Sequence, residues 1–150
     1  MLSISDYEKK YKELMQGVQN SERSLKCVRI KLFIHTSLSP LEIKRVAREA
    51  LNISALPLDQ RWRKRDSERV LGRIERIDKE FEVINMPNET VCFKWNVYFS
   101  GEGQISLHDF ISFYVFGFSS AIEAFIDVLK KRGNKIPGYK QEYTIISSHF

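Results

Sequence analysis

"LKCVRIKLFIHT", residues 25–36, alternates without a break. Val28, Ile30, Leu32 and Ile34 fall on one side of an extended chain, and Cys27, Arg29, Lys31, Phe33 and His35 fall on the other. A period of two with one apolar and one mixed side predicts a strand buried on a single face. "TVCFKWNVYF" (90–99) repeats the pattern. It sets Val91, Phe93, Trp95, Val97 and Phe99 against Thr90, Cys92, Lys94, Asn96 and Tyr98. Two strands of this kind imply a sheet that needs a covering layer on one side only.

Helical signals flank them. In "LSPLEIKRVAREALN" (38–52), Ser39 stands at a cap position and Pro40 at the first helical position, where its missing N–H costs nothing. Glu42 completes a capping box, Leu38 can staple onto Ile43, and Leu41, Val46, Ala50 and Leu51 read as the buried stripe. Residues 5–19 predict another helix, with Ser5 and Glu8 as its capping box and Ile4, Tyr7, Tyr11, Leu14 and Val18 along one face. Residues 66–86 read two ways. Val70, Ile74, Ile77, Phe81 and Ile84 fit a helix, whereas "GRIERIDKEFEVIN" fits two strands joined by a turn at Asp78–Lys79. Gly72, which weakens a helix interior by about 1 kcal/mol, favours the hairpin.

"SLHDFISFYVFGF" (106–118) is apolar on both faces, as a central strand would be, with a buried helix as the competing reading. Ser120 followed by Glu123 marks a fresh helix start, which favours the strand. The helix from Ser120 then carries Lys130, Lys131 and Arg132 at its negative end before Gly133 stops it. "QEYTIISS" (141–148) predicts a last strand. The order is helix, strand, helix, strand meander, helix, strand. The expected architecture is α+β, a single, mostly antiparallel sheet of four to six strands with helices packed on one face. A ferredoxin-like core with an extra N-terminal helix is a concrete version, and residues 1–150 form one domain.

The formal net charge is +5. Arg61, Arg63, Lys64, Arg65, Arg69, Arg73 and Arg76, set against Asp66, Glu68 and Glu75, supply +4 of it between residues 61 and 76. A concentrated field of this kind steers anionic partners better than a diffuse one. Cys27 and Cys92 have no metal-ligand spacing, the N-terminal residues form no apolar run, and no stretch reads as long and apolar enough to span a bilayer. The expectation is a cytoplasmic, intracellular protein with reduced thiols.

Two groups point to nucleic acid or a nucleoprotein as partner. The arginines of 61–76 suit phosphate oxygens, and Trp62 among them can stack on a base. If the two alternating strands are neighbours, Arg29, Lys31, Phe33, Lys94 and Tyr98 form a basic face with aromatic platforms, the logic of RNA-binding sheets of the RRM type. "CFKWNVYF" lacks the glycines of the RNP1 pattern. A protein-binding accessory or inhibitor, of the kind encoded on mobile elements, is the second expectation. A small nuclease or phosphoesterase using His35 is the third: "IHTS" (34–37) resembles the histidine motif of 2H phosphoesterases, which need a second copy. No metal site, cofactor or catalytic set is expected. His35, His108 and His149 share no ligand spacing, Gly101 and Gly103 do not precede a helix, and "GFSSA" (117–121) resembles a nucleophile elbow only in outline.

Overall fold

β1 (Ser24–His35) is the spine of the sheet. β3 (Glu89–Phe99) runs antiparallel along one side of it, from Cys27↔Tyr98 to His35↔Thr90. β5 (Gly138–His149) runs antiparallel along the other side over the whole of β1. β2 (Ile74–Asn85) pairs with the far side of β3, and the two-residue β4 (Ile105–Ser106) pairs with Ser24 and Leu25. Since β5 already occupies one side of those residues, β4 continues the line of β3. The computed structural model describes residues 4–16, 18, 24–36, 38–51, 70, 72–85, 89–99, 105–132 and 136–149.

Reading across, the order is β2-β3-β1-β5, all antiparallel. A helix links β1 to β2 and another links β3 to β5. This is the ferredoxin-like arrangement, here with an additional helix, α1 (Ile4–Met15), in front. The inward side chains of β1 and β3 (Val28, Ile30, Leu32, Ile34, Val91, Phe93, Trp95 and Val97) are buried against α2 (Pro40–Ala50) and α3 (Leu107–Lys131). α1 packs on α3, with Tyr7 fully buried.

Several expectations change. Residues 107–118 are not a strand: Ser106, the last residue of β4, caps α3 by accepting the Asp109 N–H (3.1 Å), and the helix runs unbroken to Lys131. An apolar run of that length satisfies a buried helix as well as a central strand, and the Ser-x-x-Asp cap decides it. Ser120 is therefore no cap; it lies inside the helix and its hydroxyl donates to the Phe116 carbonyl (2.7 Å). Over Phe113–Phe118 the helix widens to a π turn, closed by the Ser119 N–H on the Tyr114 carbonyl. By length and composition α3 could cross a membrane, contrary to the sequence reading, but 72% of its most apolar window is buried inside the fold, which makes it the core helix.

Residues 74–85 are neither a helix nor a hairpin. They form one strand, in which Asp78 and Lys79 pair with Asn96 and Trp95 in mid-ladder. The eleven residues of β3 offer an edge long enough to hold the whole segment extended, and charged side chains are at home on an edge strand. In α2 the buried stripe is Ile43, Val46, Ala47 and Leu51, while Leu41 is 77% exposed. Five residues turn a helix far enough to leave Leu41 and Val46 about 140° apart, so they cannot share a face. Ser39 precedes α2 without a side-chain cap bond. α1 begins at Ile4, which puts Ser5 inside its first turn.

Candidate functional site

The outward face of the sheet holds the residues singled out on β1 and β3, and no described helix covers it. Arg29, Lys31, Phe33 and His35 point out from β1, next to Asn96, Lys94, Cys92 and Thr90 of β3. Lys31 and Lys94 are direct cross-strand partners, so the two strands bring their cations together as the sequence suggests. The edge strands bring something else. β2 adds Arg76, Asp78, Glu80 and Glu82, and β5 adds Lys140 and Glu142. One row across the sheet reads Glu80, Lys94, Lys31, Glu142.

Most of these groups are occupied. Lys94 pairs with Glu80 at 2.9 Å, Lys140 with Glu142 at 3.8 Å, and Arg29 donates to the Asn96 side-chain Oδ1 at 2.9 Å. Arg76 pairs with Asp78 at 3.4 Å and lies 4.0 Å over the Tyr98 ring, where it takes the stacking face. Five cations thus share this face with four carboxylates, and the aromatic platform at Tyr98 is filled. Burial pushes the Cys27 and Cys92 thiols up from their ordinary value. At one end of the face Phe33, Ile84 and Thr90 form a notch of about 350 Å³ beside His35, whose Nδ1 lies 3.0 Å from the Thr90 hydroxyl.

Of the arginine-rich stretch, Arg61, Trp62, Arg63, Lys64, Arg65 and Arg69 lie outside the described residues. Arg73 sits in the turn before β2, and Arg76 is on β2. His108 is apart from the sheet, with its Nε2 bonded to the Tyr11 hydroxyl. Among the described residues, no three His, Cys, Asp or Glu side chains converge as a metal site would require.

A concentration of positive charge that sequence reading missed lies at the edge of β2. Lys44 and Arg48 of α2, one helical turn apart, face Lys79 of β2 across a groove of about 180 Å³ floored by Phe81 and Phe93. The Lys44 ammonium is 5.7 Å from the centre of the Phe81 ring, and that of Lys79 is 5.8 Å from the Phe93 ring. Glu80 also borders the groove, but its carboxylate is held by Lys94. Among the described residues none of the three cations has a carboxylate within 4 Å. Desolvation, and then the charges of Arg48 and Lys44, draw the Lys79 ammonium below its usual range. The i, i+4 pair on α2 was legible in the sequence; Lys79 was not, because its place depends on β2 being one strand.

The strand order and register place the chain among α+β proteins of ferredoxin-like fold. No family model matches the chain, and no curated protein matches it. Among solved structures, a dimeric ferredoxin-like protein from an uncultured marine organism is similar over 83% of this chain and 91% of that one, at 16% identity and a TM-score of 0.37.

Proposed function

We propose that this chain is a non-enzymatic binding protein that grips the phosphates of a nucleic acid at the α2–β2 edge. The observation that carries the reading is the convergence of Lys44, Arg48 and Lys79 on one groove where, among the described residues, none of the three has a carboxylate within 4 Å and the bordering Glu80 is held by Lys94. Like charges brought together in a partly desolvated site repel one another, and a phosphate between them reverses the sign of that interaction. In the sequence, Arg61 to Arg69 lie between α2 and β2, the two elements that form the groove. The outward sheet face, with its interleaved carboxylates, suits phosphate less well.

A second reading rests on the notch at the end of that face. Phe33 and Ile84 offer an apolar seat ringed by charges of both signs, which is the form of an anchor pocket for a side chain of a partner protein.

The test is fluorescence anisotropy with labelled single- and double-stranded DNA and RNA, titrated at rising salt. If about two phosphates are neutralised at the groove, affinity falls on the order of tenfold between about 50 and 200 mM salt. Lys44→Glu with Lys79→Glu should abolish binding, and Lys31→Glu with Lys94→Glu should leave most of it. No salt-sensitive binding at micromolar protein refutes the proposal. A partner protein that resists nuclease and is lost on Phe33→Asp would establish the second reading instead.

A further inference from the structure

The α2–β2 groove is small, and its cations border one space instead of forming a row. Its volume is about 180 Å³, below the about 300 Å³ at which sites for whole small molecules begin. Lys44 and Arg48 line it from α2, Lys79, Glu80 and Phe81 from β2, and Phe93 from β3. The rings of Phe81 and Phe93 lie 4.8 Å apart, with the Lys44 ammonium over the first and the Lys79 ammonium over the second. The charges of Arg48 and Lys44 both act on Lys79, so the three are within electrostatic reach of one another. Glu80, the carboxylate at the rim, is held by Lys94 at 2.9 Å.

An internal phosphodiester matches this arrangement poorly. It carries a single charge, and in a long chain such charges form a row, which cations spread along a surface meet best. A terminal phosphomonoester carries about −1.5 to −2 at neutral pH and presents three acceptor oxygens, so one group can meet Lys44, Arg48 and Lys79 together. It brings nearly the charge of two internal phosphates into one small space. A chain end also enters such a space without carrying a sugar in on both sides. The floor of Phe81 and Phe93 offers no competing acceptor and keeps water from beneath the phosphate, which strengthens each ion pair.

We infer that the groove binds the terminal phosphate of a nucleic acid chain in preference to its internal phosphates. The inference rests on the reading of this edge as a phosphate site and adds which phosphate it takes.

The test compares one internally labelled single-stranded oligonucleotide, prepared as DNA and as RNA, in four forms: 5′-phosphorylated, 3′-phosphorylated, with hydroxyls at both ends, and circularised. At least one phosphorylated end should bind at least about tenfold tighter than the hydroxyl and circular forms, since hydrogen bonds to a charged group are worth that factor or more. Lys44→Gln and Lys79→Gln, both at exposed positions that the fold does not depend on, should each remove most of that advantage. Equal binding of all four forms overturns the inference and leaves the groove as a general phosphate site. Binding of none of them refutes the reading of the edge itself, and the inference with it. A preference for phosphorylated ends that both variants keep puts the end elsewhere on the molecule and overturns the inference too. So does a nucleoside 5′-monophosphate that competes as strongly as the phosphorylated oligonucleotide, because the ligand is then a free nucleotide and not a chain end.

Discussion

Phe93 and Phe33 sit on neighbouring central strands, one residue apart in register and on opposite faces of the sheet. Replacing each by alanine measures how differently the two faces are covered. Phe93 is fully buried, with ring centres of Phe81 at 4.8 Å, Trp95 at 5.8 Å and Phe125 at 6.1 Å. Removing it loses the burial of the ring and leaves a void walled by three other rings that cannot collapse into it, a cost of about 4 kcal/mol. With an unfolding entropy of about 2 cal/mol/K per residue, a chain of 150 residues loses about 13 °C in Tm. Phe33 is half-buried on the face no described helix covers. Its removal costs about 1 kcal/mol, or about 3 °C. Urea titration followed by circular dichroism, with thermal melts beside it, gives both numbers. Equal losses at the two positions would refute the description of the sheet as covered on one side and open on the other.

Tyr7→Phe removes the hydroxyl that serves the buried Glu123 carboxylate and should cost about 2 kcal/mol by urea titration. A double-mutant cycle of Glu80→Ala with Lys94→Ala should give a coupling below about 1 kcal/mol that fades in molar salt, because Glu80 is largely exposed. Burial raises the phenols of Tyr114, Tyr139 and Tyr143 above their ordinary value of 10.0. Above pH 10 the unfolded chain releases those protons while the folded chain retains them, so stability falls as pH rises through that range. The lowered Lys10 and Lys79 act with the opposite sign, since the unfolded chain binds more protons below 10.5 and stability gains as pH climbs toward it. Urea midpoints across pH 8 to 11, with phenolate absorbance followed in parallel, separate the two trends, and Tyr114→Phe should blunt the alkaline loss. Cys27 and Cys92 are free, buried thiols with raised pKa, and a thiol reagent at neutral pH should label them only at the rate of unfolding.

The parts of the fold legible in the sequence are those whose pattern is local. β1 and β3 alternate strictly because one side of each faces the helices, and their inward sets, Val28 to Ile34 and Val91 to Val97, are the core. From two half-buried strands and the order of the other elements, an antiparallel sheet with helices on one side follows directly. What failed was what depends on neighbours. Residues 107–118 are apolar all round whether they form a central strand or the central helix, and periodicity cannot separate the two. Only the Ser106 to Asp109 cap carries the distinction, and the Ser120 to Glu123 spacing imitates a helix start that the structure does not make. The imitation also hides Glu123, which a capping role would place in solvent and which the continuous helix buries against Tyr7.

Lys79 shows the same logic at the candidate phosphate site. Read locally, Asp78–Lys79 is a polar pair between apolar residues, the mark of a turn. Held extended by eleven residues of β3, the pair splits across the sheet, Asp78 to the outward face and Lys79 to the helix side. There it meets Lys44 and Arg48, residues that α2 had already placed one turn apart. The outward face, where the cations are adjacent in a pattern legible from sequence, receives carboxylates from both edge strands and is nearly neutral. In the groove, where no single segment is unusually basic, the bordering carboxylate among the described residues, Glu80, is held by Lys94. If the proposed phosphate site is right, reversing Lys79 should disturb binding more than reversing Lys31.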